Sequence, residues 1–452
     1  MGKLYDEKLT PNQKSSKTSA VATPVINFGS GLIIILGAIW LLPYGDLDQA
    51  KVYAPFALGM SVMGLGFVLS WGIEKISWWW FWGVAIAARI ILLFTDPGND
   101  IWRYLWEGYI QLQGFSPYDY APNAAELSSF QTSWWWKINH PDVSAIYPPL
   151  TQLGFRALAW FSPSVILFKS AFVAADLGVC VLLVRRFGLE RALIYAWNPL
   201  ILYSFASGGH YDSWFVLPLA LSAYVLYEFG DRRIPHTKLV IATVYLGISI
   251  AIKWISLPVL GFLVWRSYRQ SGYKLALAIL MLGVAPFLLS SLAFCATSSC
   301  QLIPTSSSFV SHGRYCEFLP FFLARVWAFS RTTNSIFAIP LGLGTLWLIF
   351  TKRNYYSFTQ AYFFWLLIIS PIIHFWYFTW IVPFGVAKRN LGIKLLALSS
   401  LVYFVVAYRL ASSSDFQRLT VAETLLMWLP FVIGYLVSAS LKPYYGHEKS
   451  LN

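Results

Sequence analysis

Residues 78–108 read WWWFWGVAIAARIILLFTDPGNDIWRYLWEG, from Trp78 to Gly108. The first part, through Phe94, is an apolar run long enough to cross hydrocarbon as one helix. The part beginning at Thr95 is acidic, polar and aromatic, and opens the longest polar segment of the chain, 95–147. The junction therefore marks a membrane helix delivering the chain into a large loop. That loop is rich in Trp and Tyr, unlike a disordered linker, and loops of more than about 15 residues are usually functional when ordered.

Comparable apolar runs recur from position 26 to position 438 of the 452 residues. The chain is 57% hydrophobic and only 12% charged, with mean hydropathy +0.58, too little charge to disperse a soluble surface of this size. At about 20 residues per crossing, the composition accommodates about 12–14 spans. The predicted fold class is all-α, a polytopic transmembrane helical bundle. It forms a single membrane domain over 26–440 between a disordered tail, 1–25, and a second tail, 441–452. The first run, 26–42, lacks a small-residue cleavage pattern and reads as a retained helix.

The net charge of +13 reports topology. Lys3, Lys8, Lys14 and Lys17 precede the first helix, and later basic clusters fall at alternate short loops: Arg185–Arg186, Arg232–Arg233, Arg266–Arg269, Lys352–Arg353, Lys388–Arg389 and Lys442. Placing all of these in the cytoplasm puts 95–147 outside, together with Gly208–Tyr211, the surroundings of Lys253, Cys295–Pro320, the surroundings of His374, and Arg409–Thr420. Residues 148–160 break the alternation and read as a re-entrant or interfacial helix. No basic stretch interleaved with aromatics suggests a nucleic-acid partner. Cys295, Cys300 and Cys316 share one outer loop, where a disulfide is compatible with an oxidising compartment.

Unusual polar groups collect at the outer helix ends, where charge beside hydrocarbon is costly and tends to be paired or functional. Asp100, Arg103, Tyr104 and Glu107 share a stripe at helical spacing. A carboxylate beside an arginine can be held ionised, ready to take a proton from a hydroxyl; the same residues would also serve as an N-cap and a surface ion pair. His210 and Asp212 follow Gly208-Gly209, whose glycines admit close backbone approach to a ligand or make a simple capped hairpin. Lys253 marks a helical hairpin tip, as a phosphate-binding ammonium or a snorkelling side chain. His374 stands among Phe375, Trp376 and Tyr377, and another outer loop holds His312, Arg314 and Glu317. No Walker A, GxSxG, HExxH or Rossmann fingerprint competes.

In order, the chain carries Asn99-Asp100-Ile101-Trp102-Arg103-Tyr104-Leu105-Trp106-Glu107-Gly108, Gly114-Phe115-Ser116-Pro117-Tyr118, Tyr147-Pro148-Pro149-Leu150, Asn198-Pro199-Leu200, Gly209-His210-Tyr211-Asp212-Ser213 and His374-Phe375-Trp376-Tyr377. This set resembles the GT-C class of membrane glycosyltransferases, above all the bacterial polyprenol-phosphate-mannose-dependent mannosyltransferases and the catalytic subunit of GPI mannosyltransferase I. The resemblance covers about 95–384. It implies inverting transfer of a hexose, commonly mannose, from a polyprenyl-phosphate sugar donor to a lipid or glycan acceptor, on the extracytoplasmic face of a bacterial plasma membrane. In that class an acid of the first large outer loop is the general base. Asp100 matches it best and Asp96 second, while Arg103 and Tyr104 match the class's Arg-Tyr pair. Glu107, His210, Asp212, Lys253, Arg314 and His374 are then candidates for substrate binding, the cations among them for the phosphate.

Two departures stand out. Asn99 precedes Asp100, so no Asp-x-Asp exists there, and Glu107 occupies the place of the acid in the Trp-Asp-Gly of many relatives. One carboxylate is a poor Mg²⁺ or Mn²⁺ site, so a divalent metal is compatible with the chain but not supported by an Asp-x-Asp motif, and no other cofactor is indicated. The rivals are a lipid transporter or flippase, which would show internal repeats and mid-membrane charges, and a polysaccharide polymerase or ligase, which would carry more outer arginines.

Overall fold

The computed structural model describes residues 17–295, 311–414 and 416–440. Helices α1 (Lys17–Leu41) and α2 (Tyr53–Ser70) form a hairpin joined by a strap, 42–52, and α3 (Trp78–Leu93) packs on α1. Ser77 starts α3 by accepting the Trp80 N–H, and the helix stops before Pro97 and Gly98. The outer loop holds α4 (Asp100–Leu112) and ends in α5 (Pro149–Phe161). Next come α6 (Val165–Phe187), α7 (Leu189–Ala196), α8 (Pro199–Leu202), a π-turn (Tyr203–Ser207), α9 (Ser213–Leu226), α10 (His236–Ile252), α11 (Leu257–Ser271) and α12 (Tyr273–Ser291). The rest comprises α13 (Leu319–Val326), α14 (Ala338–Thr351), α15 (Tyr355–Ile369), a 3₁₀ run (Phe375–Gly385), α16 (Leu391–Ser399), α17 (Tyr403–Ala411) and α18 (Val421–Ser440).

Among the described residues there is no β-strand, only an isolated bridge between Tyr315 and Ile372. The all-α, polytopic expectation holds. Among the described residues, seven segments are long and apolar enough to cross a membrane: Val25–Tyr44, Ala50–Ser70, Val165–Phe187, Tyr273–Ser291, Asn334–Thr351, Leu391–Ala411 and Val421–Ser440. Trp78–Leu93, Ser213–Phe229 and His236–Ile252 are shorter apolar helices. Further apolar elements are short or broken. Asn198-Pro199 interrupts 189–207, and the 15 residues of α11 rise only ~22 Å against ~30 Å of hydrocarbon. The protein is an integral membrane protein.

The loop 95–147 is ordered by a small core of its own. Trp106, Ile110, Leu127 and Ile138 are buried together, with Phe115, Tyr120, Phe130, Trp134 and Trp135 packed around them. Burying each such side chain in a water-facing loop is worth roughly 1.5–3 kcal/mol. Helix α5, with 13 residues, is too short to cross and lies along α4. Gly108 permits that approach, since a Cβ there would sit 2.4 Å from the Phe155 carbonyl oxygen.

Helix α1 begins at Lys17, well before the apolar run. Lys3, Lys8, Lys14, Cys300, Lys442 and Lys449 lie outside the described residues. Cys295 is disulfide-bonded, whereas Cys180 and Cys316 are free and buried.

Candidate active site

Asn99, not Asp100, occupies the N-cap of α4, and its side-chain amide donates to Asp48 Oδ1 (3.2 Å) instead of capping. Asp100 is thus the first helical residue, with its carboxylate released from capping duty. Asn139 Nδ2 donates to Oδ1 (2.7 Å), the Tyr104 hydroxyl donates to Oδ2 (3.4 Å), and His210 Nδ1 stands 3.6 Å from Oδ2. Burial pushes this carboxyl up. The adjacent His210, the charge of His374 and the Asn139 amide outweigh burial and hold it well below the usual carboxylate range. The helix N-terminus acts in the same sense. Asp100 is ionised at neutral pH.

His210 reaches Asp100 from the break between α8 and α9. Asn198 caps α8 by accepting the Leu200 N–H, Pro199 takes the first turn, and the π-turn then resets the register before Gly208. Gly209 has φ +71°, a left-handed conformation that favours glycine. The His210 ring stacks on Trp376, with centroids 3.6 Å apart, and His374 stacks on the same indole at 4.6 Å. His374 Nδ1 also lies 3.3 Å from the Tyr403 hydroxyl. Burial drives its pKa down to about 4 against the opposing pull of Asp100, so the ring is neutral near pH 7.

Lys253 is the C-cap of α10, in extended conformation ahead of a 3₁₀ turn (Trp254–Ser256), which makes the expected hairpin tip. Its ammonium does not snorkel outward. It lies 2.6 Å from Asp212 Oδ1, among the rings of Tyr211, Phe215, Tyr377 and Trp380, whose centroids are 4.8–5.7 Å away. Trp380 Nε1 donates to the same oxygen (2.7 Å). Asp212 is fully buried, makes no side-chain cap for α9, and its Oδ2 has no hydrogen-bond partner among the described residues.

One cavity of about 1310 Å³ joins these groups: Asp100, Arg103, Tyr104, His210, Asp212, Lys253 and His374 all line it. One side is polar, formed by Asn139, His140, Asp142 and Ser144; another is apolar, formed by Tyr203, Phe375, Phe404, Ala407 and Leu410. Drug-sized ligands occupy roughly 300–1,000 Å³, so this space accommodates the reacting ends of two substrates. Among the described residues, no three His, Cys, Asp or Glu side chains are grouped to hold a metal ion.

Three expected site residues lie off the cavity wall. Asp96 is exposed beside the strap, where its backbone faces Gly45. Glu107 is buried behind the wall: Arg103 Nε donates to Oε1 (2.7 Å) and Gln152 Nε2 to Oε2 (2.6 Å). Arg314 turns its guanidinium to the Ser330 carbonyl and the Phe337 ring. Arg103 does reach the wall, but its nitrogens are engaged by the carbonyls of Asn139, His140, Val143 and Ser144. These bonds fold 139–144 back over α4 and bring Asn139 to Asp100.

Residues 19–269 match the model of the family described as Alpha-(1->6)-mannopyranosyltransferase, N-terminal domain. The chain belongs to this family. The match spans Asp100, His210 and Lys253, while His374 lies beyond it. The family is one of glycosyltransferases, in accord with the mannosyltransferase resemblance of the ordered motifs. The structure of ArnT from Cupriavidus metallidurans bound to undecaprenyl phosphate aligns with a TM-score of 0.42 and 12% identity, over 80% of this chain and 77% of that one. No curated protein sequence matches the chain.

The cavity includes residues the sequence did not single out. Asn139 is neutral and lies in a loop, Tyr403 belongs to an apolar run, and Asp46 and Asp48 come from the strap of the first hairpin. Deeper in the bundle, Arg89 of α3 and Asp176 of α6 form an ion pair with both side chains fully buried, and Arg89 also donates to the Ala196 carbonyl (2.9 Å). A charge inside each of two apolar runs was the available signal.

Proposed function

We propose that this glycosyltransferase transfers a mannosyl group, with inversion, from a polyprenyl-phosphate donor to a lipid or glycan acceptor. The reaction face is the extracytoplasmic side of a bacterial plasma membrane, in keeping with the alternation of basic loops. The observation that carries this reading is the meeting of an ionised carboxylate, Asp100, and an ammonium, Lys253, on one cavity with both a polar and an apolar side.

In the proposed reaction the acceptor hydroxyl oxygen attacks the anomeric carbon as its proton passes to Asp100. The bond from that carbon to the phosphate oxygen breaks on the opposite face, and its electron pair leaves with the phosphate. A single displacement of this kind inverts the anomeric centre. Lys253 neutralises the charge growing on the phosphate, a term that is large where water is scarce, and neutral His374 can donate a hydrogen bond there. Tyr104, Asn139 and His210 orient Asp100, and Asp212 orients Lys253. Arg103 and Glu107 hold the loop that supplies Asn139, and Arg314 holds the rim. The apolar side, including Phe404 and Leu410, suits a prenyl chain.

The test is to incubate the purified full chain, in lipid nanodiscs, with radiolabelled polyprenyl phosphate mannose or polyprenyl phosphate glucose and a membrane glycolipid extract. Label moving from the mannose donor to a glycolipid or glycan with inverted linkage is the expected result. Label moving only from nucleotide-sugar controls, or donor crossing the bilayer without any product, overturns it.

A further inference from the structure

Lys169 lies in the fifth position of α6, an apolar membrane helix, and is completely buried. An ionisable side chain in such a place is costly unless its donors are engaged for a purpose. Its ammonium does not reach the cavity and has no carboxylate within ion-pair distance among the described residues. It donates instead to the carbonyls of Leu92 (3.1 Å) and Thr95 (2.9 Å), with the Thr95 hydroxyl at 3.5 Å. These are carbonyls at the C-terminus of α3, where a helix leaves acceptors unsatisfied and favours a cation.

The same point receives a second element. Thr95 Oγ1 is bonded to Ser207 Oγ (2.8 Å) at the end of the π-turn, and the Gly98 N–H donates to the Gly208 carbonyl (3.0 Å). The lysine stem lies beneath the turn itself. A Cβ on Gly209 would stand 3.1 Å from Lys169 Cγ and 2.8 Å from Ile101 Cδ1. Three parts of the fold thus meet on Lys169: the end of α3 leading to Asp100, helix α6, and the turn leading to His210.

We infer that Lys169 is a positioning residue that braces the Thr95–Asp100 segment against the Ser207–His210 turn, fixing Asp100 relative to His210 for the transfer. The inference rests on the catalytic role proposed for Asp100, but the brace itself is a geometric claim with its own readout. Losing the ammonium frees both strands of this junction to shift, and displacement of a reacting group by about 1 Å can lower a rate by as much as roughly 100-fold. The effect falls on kcat, because no atom of Lys169 lines the substrate cavity.

The experiment compares the wild-type full chain with Lys169→Met and the milder Thr95→Val in nanodiscs, using amide hydrogen exchange and transfer kinetics with labelled polyprenyl phosphate mannose. Exchange over 95–101 and 207–212 should rise roughly tenfold or more in Lys169→Met while that of Val421–Ser440 stays unchanged. Its kcat should fall roughly 10–100-fold with KM changed by less than about threefold. Thr95→Val should move both readouts the same way by less, and it decides the matter if Lys169→Met does not fold. Unchanged exchange at both segments in the folded variants overturns the brace, as does an increase spread evenly over the chain. If the wild type transfers no sugar, the proposed function fails while the exchange result still decides the brace.

Discussion

Asp100 and Glu107 are two turns apart on α4, yet their surroundings differ. Both Glu107 oxygens are occupied, one by Arg103 and one by Gln152, and the residue is 2% exposed. Arg103 in turn binds four loop carbonyls. The Asp100 side chain is 22% exposed and faces a cavity shared with Lys253 and His374. Burial pushes the Glu107 carboxyl up despite Arg103, while the His210 side of the site holds Asp100 down. One acid of the stripe is closed into the scaffold and the other is left open towards the substrates. Chemistry is to be sought where polar groups are held in place but not enclosed.

Replacements at the open end should affect turnover most. Asp100→Asn should lower transfer by about a thousandfold or more, since it removes the proton acceptor, with thermal unfolding almost unchanged. Lys253→Met should reduce kcat by roughly a hundredfold. It should also destabilise the fold by about 3 kcal/mol, because Asp212 is left buried and uncompensated. Adding Asp212→Asn should restore stability but not kcat. A double variant that recovers turnover would assign Lys253 to the scaffold.

At the closed end the balance reverses. Arg103→Met should cost about 3–5 kcal/mol by stranding Glu107 and should expose 139–144 to proteolysis, with activity per folded molecule also reduced because Asn139 is released from Asp100. The smallest effect concerns His374. Its pKa of about 4 lies below the ordinary 6.5, so between these values the unfolded chain takes up a proton that the folded one refuses. Stability should therefore fall as pH is lowered through that window. Asp100, held below the usual carboxylate range, stays ionised there and does not contribute to the fall. His374→Gln should flatten the slope of melting temperature against pH; equal slopes would contradict the burial of a neutral ring.

The distribution of charge made much of this legible in advance. Lys253 and His374 stand alone at the ends of apolar runs, and the alternating basic loops put both on one side with Asp100 and His210. Periodicity alone could not separate Glu107 from Asp100, because both lie on the same stripe of α4. What separates them is a loop returning from 139–144 and the side chain of Gln152, neither of which sequence spacing reveals. Arg314 shows the converse: its outer-loop position is compatible with the cavity, but the packing of Phe337 and Ser330 draws it elsewhere. Lys169 passed unnoticed because a single lysine near the start of a membrane helix reads as snorkelling until Thr95 is seen beside it.

The most direct measurement sets the two acids side by side: transfer activity per folded molecule for Asp100→Asn and Glu107→Gln, in the same nanodiscs with the same labelled polyprenyl phosphate mannose. Asp100→Asn should fold normally and transfer almost nothing, whereas Glu107→Gln should melt at lower temperature and keep most of its activity per folded molecule. An active Asp100→Asn beside a well-folded, inactive Glu107→Gln would contradict the assignment and move the chemistry behind the cavity wall.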